Sequence, residues 1–429
     1  MKNILVAIPL IGAAHCAFAQ SSVTLFGVLD ASVSGYRTES ELSPADALAS
    51  GNSLSAVLGA PNILKRSATK LANSAYTSSR VGFRGTEDLG GGLSAGFWLE
   101  AGISNDDGQK GIDNFNRRST VSLSFPFGEL RLGRDYAASF WNDTVFDPFG
   151  TNGVGTNVIT SVNSAVAAGH GALINGFAGD NYFRVSNSVG YFLPPNLGGF
   201  YGQLQYGIHE NVRQTGSLAN GNRKGSYVGG RMGYAHGPLD VAASYGEDLR
   251  DDPVNGFEKD RIKVFNLGAS YDFGVVKLFG EVSRLTDTHQ DPIKLGSGVP
   301  GFAQSEREAK YTGALVGLTV PVGPGLVRLA YSQVKYNAPD FAGTALQVAG
   351  SDDAKTKKFA IGYVHNLSRR TALYATVARV DPNWKGTHHT AMAASVGGGV
   401  GYAPTFGSLV NAYKPRSSIG YDIGLRHAF

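Results

Sequence analysis

The chain has 429 residues, of which 17% are charged and 10% aromatic, and 58 are glycine. Its formal net charge of +4 is too small to indicate nucleic-acid binding, and no basic run is interleaved with aromatic residues. The single cysteine, Cys16, excludes a disulfide framework and a thiolate zinc site. After the first twenty residues no run of about 18 apolar residues occurs, so the sequence predicts no membrane-spanning helix.

The N-terminus has the pattern of a cleaved secretory signal peptide. Lys2 precedes an apolar stretch over residues 4–14, and Ala17-Phe18-Ala19 forms a small-x-small cleavage site. This apolar stretch is too short to cross about 30 Å of hydrocarbon as a helix. We therefore predict a signal peptide over residues 1–19, export through the periplasm, and one mature domain over residues 20–429.

The mature chain alternates between short turns and long polar segments. Its richness in glycine, aromatic and β-branched residues is typical of an all-β protein. The short turns lie near residues 87–91, 126–128, 194–199, 236–238, 273–274, 321–325 and 366–370. The long segments lie near residues 37–75, 105–114, 137–180, 210–225, 248–261, 286–309, 337–356 and 381–415. Seven turns alternating with eight loops predict sixteen strands, with both termini on the side of the short turns.

Side chains within the strands alternate between an apolar and a polar face. Phe265 and Leu267, for example, alternate with Asn266 and Gly268. In a β-sandwich the apolar face would point to a core, but here the polar face needs an interior of its own. Sixteen strands closed into a barrel leave room for a water-filled interior. Aromatic residues also collect near the short turns, where the girdle of a membrane barrel lies.

The last strand ends on an aromatic residue. Tyr421 and Leu425 lie on one face with the terminal Phe429, and Asp422 lies on the other. An exposed apolar strand at the end of a soluble protein invites aggregation. In a transmembrane antiparallel β-barrel the last strand pairs with the first, and its aromatic end sits at the lipid boundary. We therefore predict such a barrel, with Phe429 as a membrane-insertion signal read by the barrel-assembly machinery.

Seven segments spread over the mature chain resemble Gram-negative general diffusion porins. They are residues 20–30, 79–93, 115–118, 128–136, 187–191, 268–274 and 424–429. The resemblance implies a multi-pass barrel in the cell outer membrane, usually a homotrimer, in contact with lipid and lipopolysaccharide. It also implies passive diffusion of small hydrophilic solutes and ions. No serine lies in a nucleophile elbow with evident His and Asp partners, so the sequence predicts neither enzymatic activity nor a cofactor.

In the family that the sequence resembles, the third external loop folds inward and narrows the pore. Here that loop is residues 137–180, and its segment 141–150 resembles the family's constriction segment. The segment carries Asp143 and Asp147, of which Asp147 better matches the acidic constriction residue. Thr151 stands where some members carry a second acidic residue, so the resemblance does not imply strong cation selectivity.

The opposite wall in the family is a ladder of arginines. The candidates here are Arg80, Arg84, Arg117, Arg118, Arg134 and Arg184. Strand alternation favours Arg118 over Arg117 as the inward residue, whereas the motif admits both. Arg134 falls on the outward face, so only a bulge or a strand end would turn it inward. Guanidinium groups suit this wall because they stay ionised and stack in a fixed geometry.

Alternation also predicts which other charged residues line the interior. The cations are Arg80, Arg84, Arg118, Arg131, Arg184, Arg231, Lys277, Arg328, Lys358 and Arg426, and the anions are Asp30, Glu100, Glu129, Asp240, Asp272, Glu281 and Asp422. Loop residues such as Asp143 and Asp147 reduce the excess of cations. The remaining balance predicts weak anion selectivity, because the charge of the lumen biases the local ion concentration.

Two alternatives remain open at this stage. A substrate-specific channel would have a track of lumenal aromatic residues. The candidates are Phe26, Trp98, Tyr227, Phe279 and Tyr374, which form no obvious contiguous track. A secreted β-rich binding protein would instead need to bury its apolar faces against each other. The pair His388-His389 lacks a third ligand at matching spacing, so no metal site is expected.

Overall fold

The computed structural model describes residues 22–173, 180–208, 210, 227–249, 261–290, 306–337, 354–384, 390–403, 405, 407, 409 and 412–429. The predicted signal peptide lies outside these residues. The strands are β1 (Ser22–Leu42), β2 (Ile63–Asn73), β3 (Arg80–Gly90), β4 (Leu93–Gly102), β5 (Arg118–Phe125), β6 (Gly128–Tyr136), β7 (Arg184–Phe192), β8 (Phe200–Gly207), β9 (Tyr227–His236), β10 (Leu239–Leu249), β11 (Arg261–Asp272), β12 (Lys277–Gln290), β13 (Glu306–Val322), β14 (Gly325–Asn337), β15 (Ala354–Asn366), β16 (Thr371–Trp384) and β17 (Tyr413–Ala428). The helices are α1 (Pro44–Ala49), α2 (Leu54–Leu58), α3 (Ala138–Val145) and α4 (Val158–Leu173). Within the described residues, no helix is both long enough and apolar enough to cross a membrane.

The seventeen strands of the described residues occupy sixteen positions in the sheet, because β2 and β3 share one. Residues 31–41 of β1 pair antiparallel with β2, and residues 22–28 pair antiparallel with β3. β2 and β3 therefore follow one another along the same edge of β1, separated by residues 74–79. In this interruption the Asp30 carboxylate accepts hydrogen bonds from the amides of Tyr76 (2.8 Å) and Thr77 (2.5 Å). The barrel is thus sixteen-stranded and antiparallel, as the turn pattern predicts.

The first and last strands close the barrel. β1 pairs with β17 from Val28 opposite Ala428 to Leu42 opposite Tyr413. Beyond this ladder, Phe429 and Gly27 exchange two backbone hydrogen bonds of 3.1 Å. The Phe429 ring lies so close to Gly27 that a Cβ atom there would be 2.2 Å from it. A side chain at Gly27 would therefore require the Phe429 ring to move, and the terminal residue is held on the first strand by its backbone.

The alternation of faces is as the sequence predicts. On β17, Ile423 is 60% exposed on the outer face, whereas its neighbour Asp422 is fully buried inside. On β11, Leu267 is exposed on the outer face and Asn266 is fully buried. Apolar side chains on the outside and polar side chains on the inside are the arrangement that a barrel in lipid requires.

The predicted first loop, residues 37–75, differs from the structure. Residues 37–42 continue β1, and the rest of the segment contains α1, α2 and β2. β2 escapes detection from the sequence because polar residues occupy both of its faces, so it shows no apolar alternation. The β-sheet therefore extends further into this region than the sequence indicates.

The interior of the barrel is partly filled by the segment between β6 and β7. Helix α3 contacts β9, β10 and β11, and α4 contacts β12 to β15. Apolar side chains of this segment pack against inward residues of the wall, including Val158 and Ile159 of α4 with Leu285 of β12. Residues 390–403 add a second inner layer, in which Met392 and Val396 are buried. The hydrophobic core therefore lies between the inner segments and one side of the wall.

Candidate functional site

A cavity of about 1050 Å³ lies in the lumen beside the inner segment. One side is formed mainly by strands β3 to β7 and the other by residues 140–152, with further lining residues from β8, β9 and β14. Seven arginines and three carboxylates line it: Arg80, Arg117, Arg118, Arg131, Arg184, Arg231, Arg328, Glu100, Asp135 and Asp147. Nine aromatic side chains also line it: Tyr76, Trp98, Tyr136, Phe140, Trp141, Phe149, Phe183, Phe192 and Tyr201. The cavity is therefore both cationic and aromatic.

Glu100 on β4 joins two arginines of the strand wall. Its Oε1 lies 2.6 Å from Nε of Arg117 and 3.7 Å from Nε of Arg80. Arg80 begins β3 directly opposite Gly102, and Arg117 immediately precedes β5, so the strand register sets the position of both groups. One carboxylate therefore orients two guanidinium groups without neutralising both.

Asp135 on β6 joins the next two arginines. Its Oδ2 accepts a hydrogen bond of 2.6 Å from Nη1 of Arg131 and lies 3.7 Å from Nε of Arg118. Arg131 also forms two hydrogen bonds of 3.0 Å with the carboxylate of Glu129. Charge-assisted pairs of this kind fix the planar guanidinium more firmly than neutral hydrogen bonds do.

Aromatic rings support the arginines from the side. Guanidinium carbons lie over ring centres for Arg118 and Trp98 (4.5 Å), Arg131 and Phe192 (3.8 Å), Arg184 and Tyr136 (4.6 Å), Arg231 and Tyr201 (4.7 Å), and Arg328 and both Tyr76 (4.6 Å) and Phe149 (4.5 Å). Such stacking is favourable for a weakly hydrated cation and restricts its rotation. The arginines are thereby held as a rigid charged surface.

Asp147 is the carboxylate of the inner segment that reaches the cavity. It is 5% exposed and accepts hydrogen bonds of 2.8 Å from the Phe149 amide and the Asn157 side chain. Burial raises the pKa of Asp147, although these hydrogen bonds and the nearby Lys358 oppose the shift. The negative charge opposite the arginines is therefore nearly enclosed by neutral donors.

Asp143 lies behind the cavity wall and does not line it, contrary to its predicted place in the constriction. It is fully buried, and its Oδ2 accepts a hydrogen bond of 2.7 Å from the Tyr182 hydroxyl. Its Oδ1 accepts a hydrogen bond from Asn266 of β11. Because α3 turns this side chain toward the barrel wall, the carboxylate fastens the inner segment to the strands. Burial raises the pKa of Asp143.

The six predicted arginines divide into two groups. Arg80, Arg117, Arg118 and Arg184 line the cavity, so the structure places both members of the Arg117-Arg118 pair there. Arg84 stacks on Phe26 (5.6 Å) and Trp98 (5.2 Å), outside the cavity lining.

Arg134 also lies outside the cavity lining, contrary to its inclusion in the constriction. It donates hydrogen bonds of 2.7 Å to the Asn116 carbonyl and to the Ser186 hydroxyl. A register shift does occur between Gly133 and Asp135. It brings Asp135 and Tyr136 to the cavity while Arg134 remains bound to the two neighbouring segments.

Sequence reasoning missed part of this site. Asp135 and Tyr136 follow the register shift, where simple alternation fails. Alternation assigns Arg131, Arg231 and Arg328 to the inner face but not to the constriction, because the sequence does not show which inward residues share a level of the barrel. Of the five lumenal aromatic candidates that a substrate-specific channel would use, only Trp98 lines the cavity. Within the described ranges, no group of three or more His, Cys, Asp or Glu residues is placed to hold a metal ion.

Comparison with known proteins agrees with this fold. A family profile described as Gram-negative porin matches residues 5–383. The chain is 35% identical over 430 residues to outer membrane porin protein 32 of Delftia acidovorans, covering 100% of both chains. It is 30% identical over 399 residues to an outer membrane porin protein of Bordetella pertussis, covering 87% of this chain and 92% of that protein. The solved anion-selective porin from Comamonas acidovorans superposes with a TM-score of 0.65 at 30% identity, covering 96% of this chain and 100% of that one. The chain therefore belongs to the Gram-negative porins, which form passive, water-filled channels in the outer membrane.

Proposed function

We propose that this porin is a general diffusion channel with a weak preference for anions. The observation that carries the proposal is the cavity lining, in which seven arginines outnumber three carboxylates. A positive lumen raises the local concentration of anions, and salt screens this effect over about 10 Å at 0.1 M. The anion selectivity stated for the similar Comamonas porin supports the same sign.

The constriction in this proposal lies between the strand arginines and the inner segment of the predicted loop 137–180. The arginine wall and Asp147 together produce a field across the pore. Small polar solutes align with this field, whereas apolar solutes must displace ordered water. Permeation then depends on size, polarity and charge, and the solute leaves chemically unchanged. In this proposal the carboxylates Glu100 and Asp135 position arginines and have no catalytic task.

The proposal includes a precursor and an assembly pathway. Residues 1–19 would direct export and be removed, leaving residues 20–429 as the barrel domain. Phe429, held on Gly27 by two hydrogen bonds, would be read by the barrel-assembly machinery before the barrel closes. In the membrane the protein would form a homotrimer surrounded by lipid and lipopolysaccharide.

The Phe429 role is tested by comparing Phe429→Ala with Phe273→Ala, another exposed aromatic residue, located in a short turn. We expect F429A to lower the amount of folded barrel in outer-membrane fractions, and F273A to have a smaller effect. Equal yields from both variants would contradict a specific signal at the C-terminus.

The channel itself is tested with the refolded mature chain in a planar bilayer. We expect stepwise openings with a near-ohmic current, in groups of three for a trimer. The reversal potential under a potassium chloride gradient should have the sign of an anion preference. A cation preference would contradict the proposed role of the arginine wall, and folded, inserted protein without conductance would contradict the open channel.

A further inference from the structure

An aromatic cluster lies directly beside the arginines of the cavity. Tyr136 packs on Trp141 with ring centres 5.1 Å apart and on Phe140 at 5.8 Å. Phe183 packs edge-on against Phe140 at 4.8 Å. All four rings line the cavity, and they come from the end of β6, from α3 and from the residue preceding β7. The cluster therefore forms an apolar surface within a charged pore.

Trp141 is the most accessible part of this cluster. Its side chain is 39% exposed although it lies inside the lumen, whereas Phe140 is 7% exposed. A large apolar ring facing lumen water is unfavourable unless another group covers it. Packing of the inner segment does not require this exposure, because α3 is already fixed by the buried Asn142 and Asp143 on its other side. The exposed ring is therefore available to a solute.

Tyr136 connects the aromatic cluster to the arginines. Its hydroxyl accepts hydrogen bonds from Nη2 of Arg117 (2.8 Å) and Nη2 of Arg184 (3.3 Å). The Arg184 guanidinium also lies 4.6 Å over the Tyr136 ring. The Tyr136 side chain thus places an apolar ring surface next to two cations.

We propose that the constriction binds aromatic monocarboxylates, with the ring on Trp141 and Phe183 and the carboxylate toward Arg117 and Arg184. This inference rests on the proposed anion-preferring channel and adds a class of solute to it. The contacts of Arg117 within the described residues engage Nε and Nη2 of its five N–H donors, which leaves Nη1 for a carboxylate oxygen. Flat rings stack on the Trp141 indole, whereas saturated rings of the same charge lose this interaction.

The test compares benzoate with cyclohexanecarboxylate as blockers of chloride current. Both are singly charged six-membered-ring acids at neutral pH, so they differ mainly in ring flatness. Single-channel chloride current is recorded while each probe is added from one side at low salt, and its half-blocking concentration is measured. Aromatic pairing predicts a half-blocking concentration about 2- to 10-fold lower for benzoate.

The variant Trp141→Leu keeps apolar bulk and removes the aromatic face. We expect the ratio of the two half-blocking concentrations to fall toward one in W141L. Any change in pore width affects both probes and cancels in this ratio. Phe273→Leu in a short turn is the matched control and should keep the wild-type ratio.

A ratio of one in the wild-type channel, or an unchanged ratio in W141L, would overturn the proposal. Failure of the underlying channel is recognised separately. Conductance and reversal potential are recorded before either probe is added, so absent openings or a cation preference identify that failure. An anion-preferring channel with no benzoate preference would contradict the aromatic site alone.

Discussion

The two walls of the cavity are built differently. On the strand wall, Arg117 and Arg131 are paired with carboxylates at 2.6 Å and held by backbones that are hydrogen-bonded into the sheet. On the inner-segment wall, Asp147 is nearly buried and is bound by a backbone amide and an asparagine. The strand wall therefore carries most of the accessible charge, and in our proposal the inner segment mainly sets the width and shape of the pore.

The two walls should therefore control two different properties of the channel, ion preference and conductance. Ion preference should follow changes on the strand wall, whereas conductance should follow changes in how the inner segment is seated. The following variants each change one wall, and their controls change neither.

The largest effect on conductance is expected from displacing the inner segment from the strands. Phe146, which is fully buried, lies on Gly268 of β11, where a Cβ atom would be 2.1 Å from the ring. The substitution Gly268→Val should overpack this contact by about 1–3 kcal/mol and displace the segment for part of the time. We expect single-channel conductance to become larger and noisier.

Gly280→Val on the neighbouring strand is the matched control. A Cβ atom there has its nearest neighbour, the Leu315 carbonyl oxygen, at 4.0 Å. This variant should conduct as the wild type does. If G268V also conducts like the wild type, the inner segment does not determine the width of the pore.

The next effect is expected from removing charge on the strand wall. Arg117→Gln with Arg118→Gln removes two guanidinium groups from the cavity and leaves the inner segment unchanged. A screened interaction of about 0.2–1 kcal/mol per charge corresponds to about 1.5- to 5-fold in ion occupancy. The anion-to-cation permeability ratio, measured from reversal potentials, should fall by that factor for each charge.

Arg134→Gln tests whether the position of a cation, and not only its charge, determines the ion preference. Arg134 carries the same charge on a neighbouring strand but lies outside the cavity lining. Its replacement should change the permeability ratio far less than the double variant does. Equal changes would mean that overall charge, and not the geometry of the cavity, sets the ion preference.

The two walls also differ in how well the sequence predicts them. Strand alternation and the closing Phe429 indicate the barrel, and they place Arg80, Arg118 and Arg184 on the inner face. The strand wall is predictable because a fixed period of two residues decides which way each side chain points. This rule fails only where the strand register is irregular, as between Gly133 and Asp135.

The inner-segment wall is set by tertiary packing instead. Asp143 and Asp147 are four residues apart in one segment, yet Asp143 bonds to Asn266 behind the wall and Asp147 reaches the cavity. Which carboxylate reaches the cavity depends on how α3 packs on β9 to β11. Local sequence does not encode this packing. Trp141 is likewise unremarkable in the sequence, and its position beside Tyr136 depends on the same packing.

A smaller effect is expected from Glu100. This carboxylate is shared by Arg80 and Arg117, so Glu100→Gln removes one negative charge while keeping a similar shape. The permeability ratio should shift toward anions by about 1.5- to 5-fold, the value of a single screened charge. A shift toward cations would indicate that Glu100 acts by holding the arginines in place and that they turn away without it.

The smallest effect is expected from the pH dependence of Asp147. Because burial raises the pKa of Asp147, its carboxyl takes up a proton at a higher pH than an exposed aspartate does. As the pH falls through that raised value, the negative charge facing Arg328 and Lys358 is lost and the anion preference should rise. Asp147→Asn should show the higher preference already at neutral pH, and the two proteins should converge in acid. If the difference between them persists in acid, Asp147 is still ionised there, and the hydrogen bonds from Phe149 and Asn157 outweigh its burial.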